Sequence, residues 1–184
     1  MALTESNMLS LGVQAPFFSL PNAVTGKTDN FDDLKGEKGT LIIFMCNHCP
    51  YVIHILDQLV VWTNKYHSKG INTIAISSNN IETHPQDSPV KMKELSLEKN
   101  FRFPYLYDDS QQVAKKYDAA CTPDLYLFDE EDELVYRGCF DKSRPGNDVE
   151  VTGESLSQAA NSLLSRKPIS QEQTPSIGCN IKWK

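Results

Sequence analysis

The sequence predicts an α/β fold: a central mixed β-sheet flanked by helices on both faces, preceded by an N-terminal β-hairpin extension. Three observations point there. From residue 41, short apolar or β-branched runs alternate with segments of helical period, the pattern of parallel strands joined by crossovers. Further on, two strand-like runs are separated only by the acidic stretch 129–133, a connection so short that this pair must be antiparallel. Finally, 184 residues with 40% hydrophobic and 23% charged content suit one soluble domain with a substantial core.

The elements follow in order. Pro16-Phe17-Phe18-Ser19-Leu20-Pro21 reads as a short strand, and Gly26-Lys27-Thr28 turns into a second that ends near Phe31. A single helical turn is expected at 32–36. Residues 41–45, all apolar, read as a buried strand. Val52, Ile55, Leu59, Trp62 and Tyr66 then recur at steps of three and four, a helix that stops near Lys69-Gly70. Residues 71–77 are a second buried strand, and 78–88 a polar loop containing His84-Pro85. A helix over about 89–99 carries Pro89 in its tolerant first turn. A short extended piece spans 105–107, and Ser110 is expected to cap a helix running to about Tyr117. The antiparallel pair is 125–128 and 134–139. A last helix over 154–166 lines up Leu156, Ala159 or Ala160, Leu163 and Leu164, and a tail of mixed polarity begins at Pro168. The expected organisation is a single domain, 1–184, with an N-terminal extension (1–38) and a C-terminal tail (168–184).

Charge narrows the function classes. A net charge of −6, with no basic cluster, argues against nucleic-acid or membrane partners. Residues 1–10 lack the basic and apolar regions of a signal peptide, and no apolar run approaches the ~20 residues that span a bilayer. A cytoplasmic, reducing location is therefore expected. In that setting five cysteines are more readily catalytic, metal-binding or buried than paired in structural disulfides.

The chemistry centres on Cys46-Asn47-His48-Cys49. Two thiols stand where a strand ends and a helix begins, a position that favours thiolate, the reactive form of cysteine. The spacing is that of a reversible dithiol. On this reading Cys46 is the exposed nucleophile at the helix start, and Cys49, one turn in, resolves the mixed disulfide. A charged His48 adds to the helix field and lowers the Cys46 pKa. Thr122-Pro123 stands before the predicted hairpin in a loop able to take the cis form. A cis-proline loop beside a dithiol offers backbone groups to an extended substrate.

Gly12-Val13-Gln14-Ala15-Pro16-Phe17-Phe18-Ser19-Leu20, Cys46-Asn47-His48-Cys49-Pro50-Tyr51-Val52 and Cys121-Thr122-Pro123-Asp124 resemble the redoxin branch of the thioredoxin-like superfamily. The similarity is to peroxiredoxin-like proteins of the alkyl-hydroperoxide-reductase/thiol-specific-antioxidant (AhpC/TSA) type. The tail 175–184 resembles the C-terminal signature of the same group. The resemblance implies a thioredoxin-like fold, an active Cys46, a resolving Cys49 and a cis Pro123. Where the peroxiredoxin pattern has a Thr or Ser three residues before its cysteine, this chain has Ile43, which favours disulfide exchange over peroxide reduction.

Other residues carry weaker signals. Arg144, in a loop, and Arg137 offer guanidinium groups that lower a thiolate pKa or orient a peroxide. Cys139 reads as core packing. Cys179, flanked by Ile177, Ile181 and Trp183, suggests a docked tail and a second redox partner for the dithiol; Cys121 adds a further thiol beside Thr122. The function expected is a thiol–disulfide oxidoreductase serving redox homeostasis. It would act on a protein or small-molecule disulfide, with an external thiol donor and no cofactor. The alternative is a peroxiredoxin-like thiol peroxidase in which Cys46 becomes a sulfenic acid that Cys49 or Cys179 resolves. A second alternative is a metal-binding relative using Cys46, His48, Cys49 and Cys121.

Overall fold

Five strands form the central sheet of the computed structural model, which describes residues 3–184. The middle strand is β4 (Gly39–Phe44). It pairs in parallel with β5 (Ile71–Ser77), which in turn pairs in parallel with β6 (Tyr105–Tyr107). On its other side it pairs antiparallel with β8 (Asp124–Phe128), and β9 (Leu134–Arg137) closes that edge. The order is β6-β5-β4-β8-β9. The sheet is thus mixed, as the acidic hairpin connection predicted.

All six residues of β4 are buried, the signature of a strand covered on both faces. Because side chains alternate, Leu41 and Ile43 face one layer and Ile42 and Phe44 the other. The first layer holds α2 (Pro50–His67) and α5 (Glu154–Leu164), through Leu59, Trp62, Tyr66, Leu156 and Ala160. It also receives Met92 of α3 (Pro89–Glu98). The second layer contains Phe18, Phe31, Val113 and Tyr117. These come from α4 (Gln112–Lys116) and from the hairpin of β2 (Ser19–Pro21) and β3 (Thr28–Asn30), with α1 (Phe31–Leu34) after it. Tyr117 packs edge-on against Tyr126 and Phe128, the ring geometry that aromatic quadrupoles favour.

Two differences from the sequence expectation bear on the site. Ser110 does not cap α4: Gln111, at φ +61°, holds the cap position, and the buried Asp108 carboxylate accepts the Ala114 N–H at 2.9 Å. The tail after Pro168 is not merely docked but ends in a strand, β10 (Ile177–Asn180). That strand lies antiparallel between β1 (Leu3–Glu5) and β7 (Cys121–Thr122), making a second sheet of order β1-β10-β7. Strands of two to four residues carry no usable period in the sequence, so their pairing appears only in three dimensions.

Candidate functional site

β4 stops pairing after Phe44, and the Met45 N–H makes a last bond to the Ile76 carbonyl (2.9 Å). The chain then runs through Cys46, Asn47 and His48 in a loop before α2. Pro50 occupies the first helical position, where a missing N–H costs nothing. Cys49 is therefore the cap residue of α2, and Cys46 precedes the helix by a turn's length of chain. This reverses the expected arrangement, because Pro50 sets the helix start after the second cysteine. Nor is Cys46 exposed: it is 1% accessible and Cys49 is 0%.

The surroundings of the two sulfurs differ. The Cys49 thiol is lowered, first by sharing a proton with Cys46 and then by the Thr122 side chain and the backbones of Cys179 and Val52, against the opposing effect of burial. The Thr122 carbonyl, 3.0 Å from Cys49 Sγ, takes its S–H whenever that thiol is protonated. Cys46 is pushed strongly up by sharing its proton with Cys49, by burial and by the negative charge of Asp87. The reduced pair thus shares a proton, with Cys46 pushed up and Cys49 pushed down. Thr122 Oγ1 lies 3.6 Å from Cys46 Sγ.

Asp87, which the sequence reading did not single out, organises the other side. It is fully buried and sits at the end of a single 3₁₀ turn, Pro85–Asp87. Its carboxylate accepts the Asn47 backbone N–H (2.8 Å), the Asn79 amide (2.8 Å) and His48 Nδ1 (2.6 Å). The His48 ring also stacks on His84, with centroids 5.1 Å apart. His48 is therefore clamped to a carboxylate, and the field at Cys46 is that of an Asp–His pair rather than an isolated imidazolium. Cys46 Sγ, His48 Nδ1 and an Asp87 oxygen all lie within 4.8 Å of one another. Soft and borderline cations take such donors, but neither Cys49 nor Cys121, both expected among the ligands, is part of this group.

Thr122 and Pro123 stand against the dithiol, and their peptide bond is cis. The pairing edge of Thr122 is already in use, since it lies opposite Cys179 of β10. Gly178 makes this approach possible: a Cβ there would stand 1.9 Å from the Thr122 carbonyl oxygen. The chain's own strand β10 thus lies along the edge where an extended substrate was expected.

A model of the AhpC/TSA family matches residues 11–137. The chain belongs to this family. No curated protein matches it. Among solved structures, an uncharacterized conserved protein from Geobacillus kaustophilus is 50% identical, with a TM-score of 0.98, covering 100% of this chain and 97% of that one. A hypothetical protein from Sinorhizobium meliloti is 41% identical, with a TM-score of 0.96 and 98% of each chain covered. A putative thiol:disulfide interchange protein DsbE from Chlorobium tepidum, at 20% identity and TM-score 0.62 over 85% of this chain and 99% of that one, shares the fold. The fold is thus thioredoxin-like, and with family membership it supports a thiol-based redox function.

Within this AhpC/TSA scaffold the remaining candidates separate. Arg144 lines a small cleft beside Pro123, Tyr51 and Ser176, but its guanidinium is turned to the Asp141 and Ser143 carbonyls (2.9 and 2.6 Å). Arg137, the last residue of β9, donates to Gln173 Oε1. Cys139 is buried, with its sulfur 3.8 Å from Ser155 Oγ. Cys121 is pushed far up by burial first and by Asp124 next. Cys179 packs in the same apolar cluster as Cys46 and Cys49. Among the described residues no helix is long and apolar enough to cross a membrane.

Proposed function

We propose that this chain is a thiol–disulfide oxidoreductase whose redox pair is Cys46 and Cys49, working in a reducing, cytoplasmic setting with an external thiol as electron donor. The observation that carries the reading is the unequal pair of sulfurs. Cys46 Sγ lies 3.8 Å from His48 Nδ1, which bonds Asp87, while Cys49 Sγ lies 3.0 Å from the Thr122 carbonyl, and of the two thiols Cys46 is pushed up and Cys49 down. In the cycle, Cys49 thiolate attacks one sulfur of a substrate disulfide, and the other half leaves as a thiolate. Cys46 then gives its proton toward the Asp87–His48 pair and attacks Cys49 Sγ. The second half of the substrate leaves, reduced by two electrons in all, and the chain is left with a Cys46–Cys49 disulfide for the donor to reduce. Because Thr122 is paired with β10, a low-molecular-weight disulfide suits the site better than an extended polypeptide.

The test is turnover of glutathione disulfide with dithiothreitol as donor. Cys49→Ser, and Cys46→Ser in a Cys179→Ser chain, are each expected to fall to background; full activity in either would end the dithiol reading. A second reading, thiol peroxidase, is favoured by one observation: Thr122 Oγ1 supplies beside Cys46 the hydroxyl that position 43 lacks. It predicts hydrogen peroxide consumption faster than glutathione disulfide reduction, with a sulfenic acid trapped by dimedone.

A further inference from the structure

Three thiols, not two, meet at the start of α2. Thr122 and Cys179 are directly opposed across the β7–β10 ladder, and opposed residues of an antiparallel pair project to the same face. That face is the one turned to the dithiol, because Thr122 Oγ1 touches Cys46 Sγ and the Thr122 carbonyl touches Cys49 Sγ. Cys179 is 4% accessible and packs in the apolar cluster of both redox cysteines. It meets Cys49 twice, through its backbone N–H and through its side chain. Cys121 is opposed to Asn180 instead, so it projects from the other face of the ladder, and its sulfur lies near the Pro123 and Ser176 carbonyls. The third sulfur rides on the strand that occupies the partner position of the cis-proline loop, held there by the close approach of Gly178 to Thr122.

We propose that β10 is a built-in partner strand and that Cys179 is a second resolving thiol, forming a Cys49–Cys179 disulfide as an alternative to Cys46–Cys49. The proposal rests on the dithiol reading above. With glutathione disulfide as oxidant, Cys49 thiolate attacks, forming a Cys49–glutathione disulfide and releasing glutathione thiolate. Cys179 sulfur then attacks Cys49 Sγ, the bond to glutathione breaks, and the departing glutathione takes up the Cys179 proton. Two protein thiols are oxidised and one glutathione disulfide becomes two glutathiones. Burial, and next the side-chain bond to Cys49, push Cys179 up to about 11, so its proton leaves only as the glutathione departs. The product ties α2 to β10 and leaves Cys46 as a thiol. Oxidation would then also lock the strand over the cis-proline loop.

The experiment uses the full chain with Cys46→Ser, oxidised with glutathione disulfide, quenched with acid, alkylated and mapped by peptide mass spectrometry. The expected result is a Cys49–Cys179 crosslinked peptide with little glutathione adduct, while Cys46→Ser/Cys179→Ser accumulates the adduct on Cys49. Cys46→Ala repeats the measurement should serine disturb the fold. A stable adduct on Cys49 in Cys46→Ser, with Cys179 still alkylated, would overturn the proposal, as would failure of Cys49 to react. Wild-type chain in the same series separates the two readings. If it forms Cys46–Cys49 while the variant forms no crosslink, only the third thiol is lost. If it forms no disulfide at all, the dithiol reading falls as well.

Discussion

Asp87 and Asp124 are buried carboxylates with opposite relations to the chemistry. Asp87 raises the Cys46 pKa, behind the effects of Cys49 and of burial. Replacing it with asparagine removes a negative charge near the sulfur, so Asp87→Asn is expected to shift dithiol alkylation by iodoacetamide to lower pH. An unchanged profile would show that the carboxylate does not act on the thiol. Asp124 has its carboxyl pushed from an ordinary 3.8 up to about 6, by burial above all, despite bonds from the Ala120 N–H and Tyr126 hydroxyl. Between those values the folded chain keeps a proton that the unfolded chain releases, so this residue's contribution to stability falls as pH rises through about 4 to 6. Asp124→Asn is therefore expected to stabilise the fold near pH 7.5 by about 3 kcal/mol, with no gain below about pH 4. Urea midpoints at the two pH values measure this, and equal gains at both would refute it. Neither carboxylate was legible in the sequence. Asp87 sits 39 residues from His48 in a polar loop with no period, and a carboxylate's burial leaves no local mark.

The elements divide the same way. α2 and β5 were legible nearly to the residue, because a three-and-four repeat and an unbroken β-branched run are local signals. Leu59, fully buried on α2 between sheet and helix, belongs to that repeat. Leu59→Ala should cost about 2–5 kcal/mol in chemical denaturation, the usual range for a core leucine. Element boundaries were the weaker part. The helix was expected to include Cys46, but Pro50 in the first turn moved the cap to Cys49. β10 depends on a single small residue. Gly178→Ala would press a methyl into the Thr122 carbonyl, which as backbone cannot swing aside. It is expected to destabilise by on the order of 3 kcal/mol and to make Cys179 open to alkylation in the folded protein. Continued protection of Cys179 in that variant would mean that β10 does not need the close approach.

For the whole molecule, the architecture assembles the site from pieces distant in sequence. The end of β4 supplies Cys46 and His48, the loop after β5 supplies Asn79 and Asp87, β7 supplies Thr122, and the C-terminal strand supplies Cys179. The tail also braces the loop, since the Lys182 N–H donates to Asn79 Oδ1 at 2.9 Å and Asn79 in turn holds Asp87. The alternation of strands and helices and the acidic hairpin made the mixed sheet legible; the meeting of the four pieces was not, because each contact is non-local. The central claim is that Cys46 and Cys49 exchange two electrons as a unit. Its most direct measurement is an equilibrium titration of the Cys179→Ser chain in dithiothreitol buffers of stepped potential, with alkylation and peptide mapping at each step. The account predicts that Cys46 and Cys49 lose alkylation together in one transition, about 30 mV for each tenfold change in the oxidised-to-reduced ratio, as a two-electron couple requires. Independent titration of the two sulfurs, or alkylation of both at every potential, would contradict it.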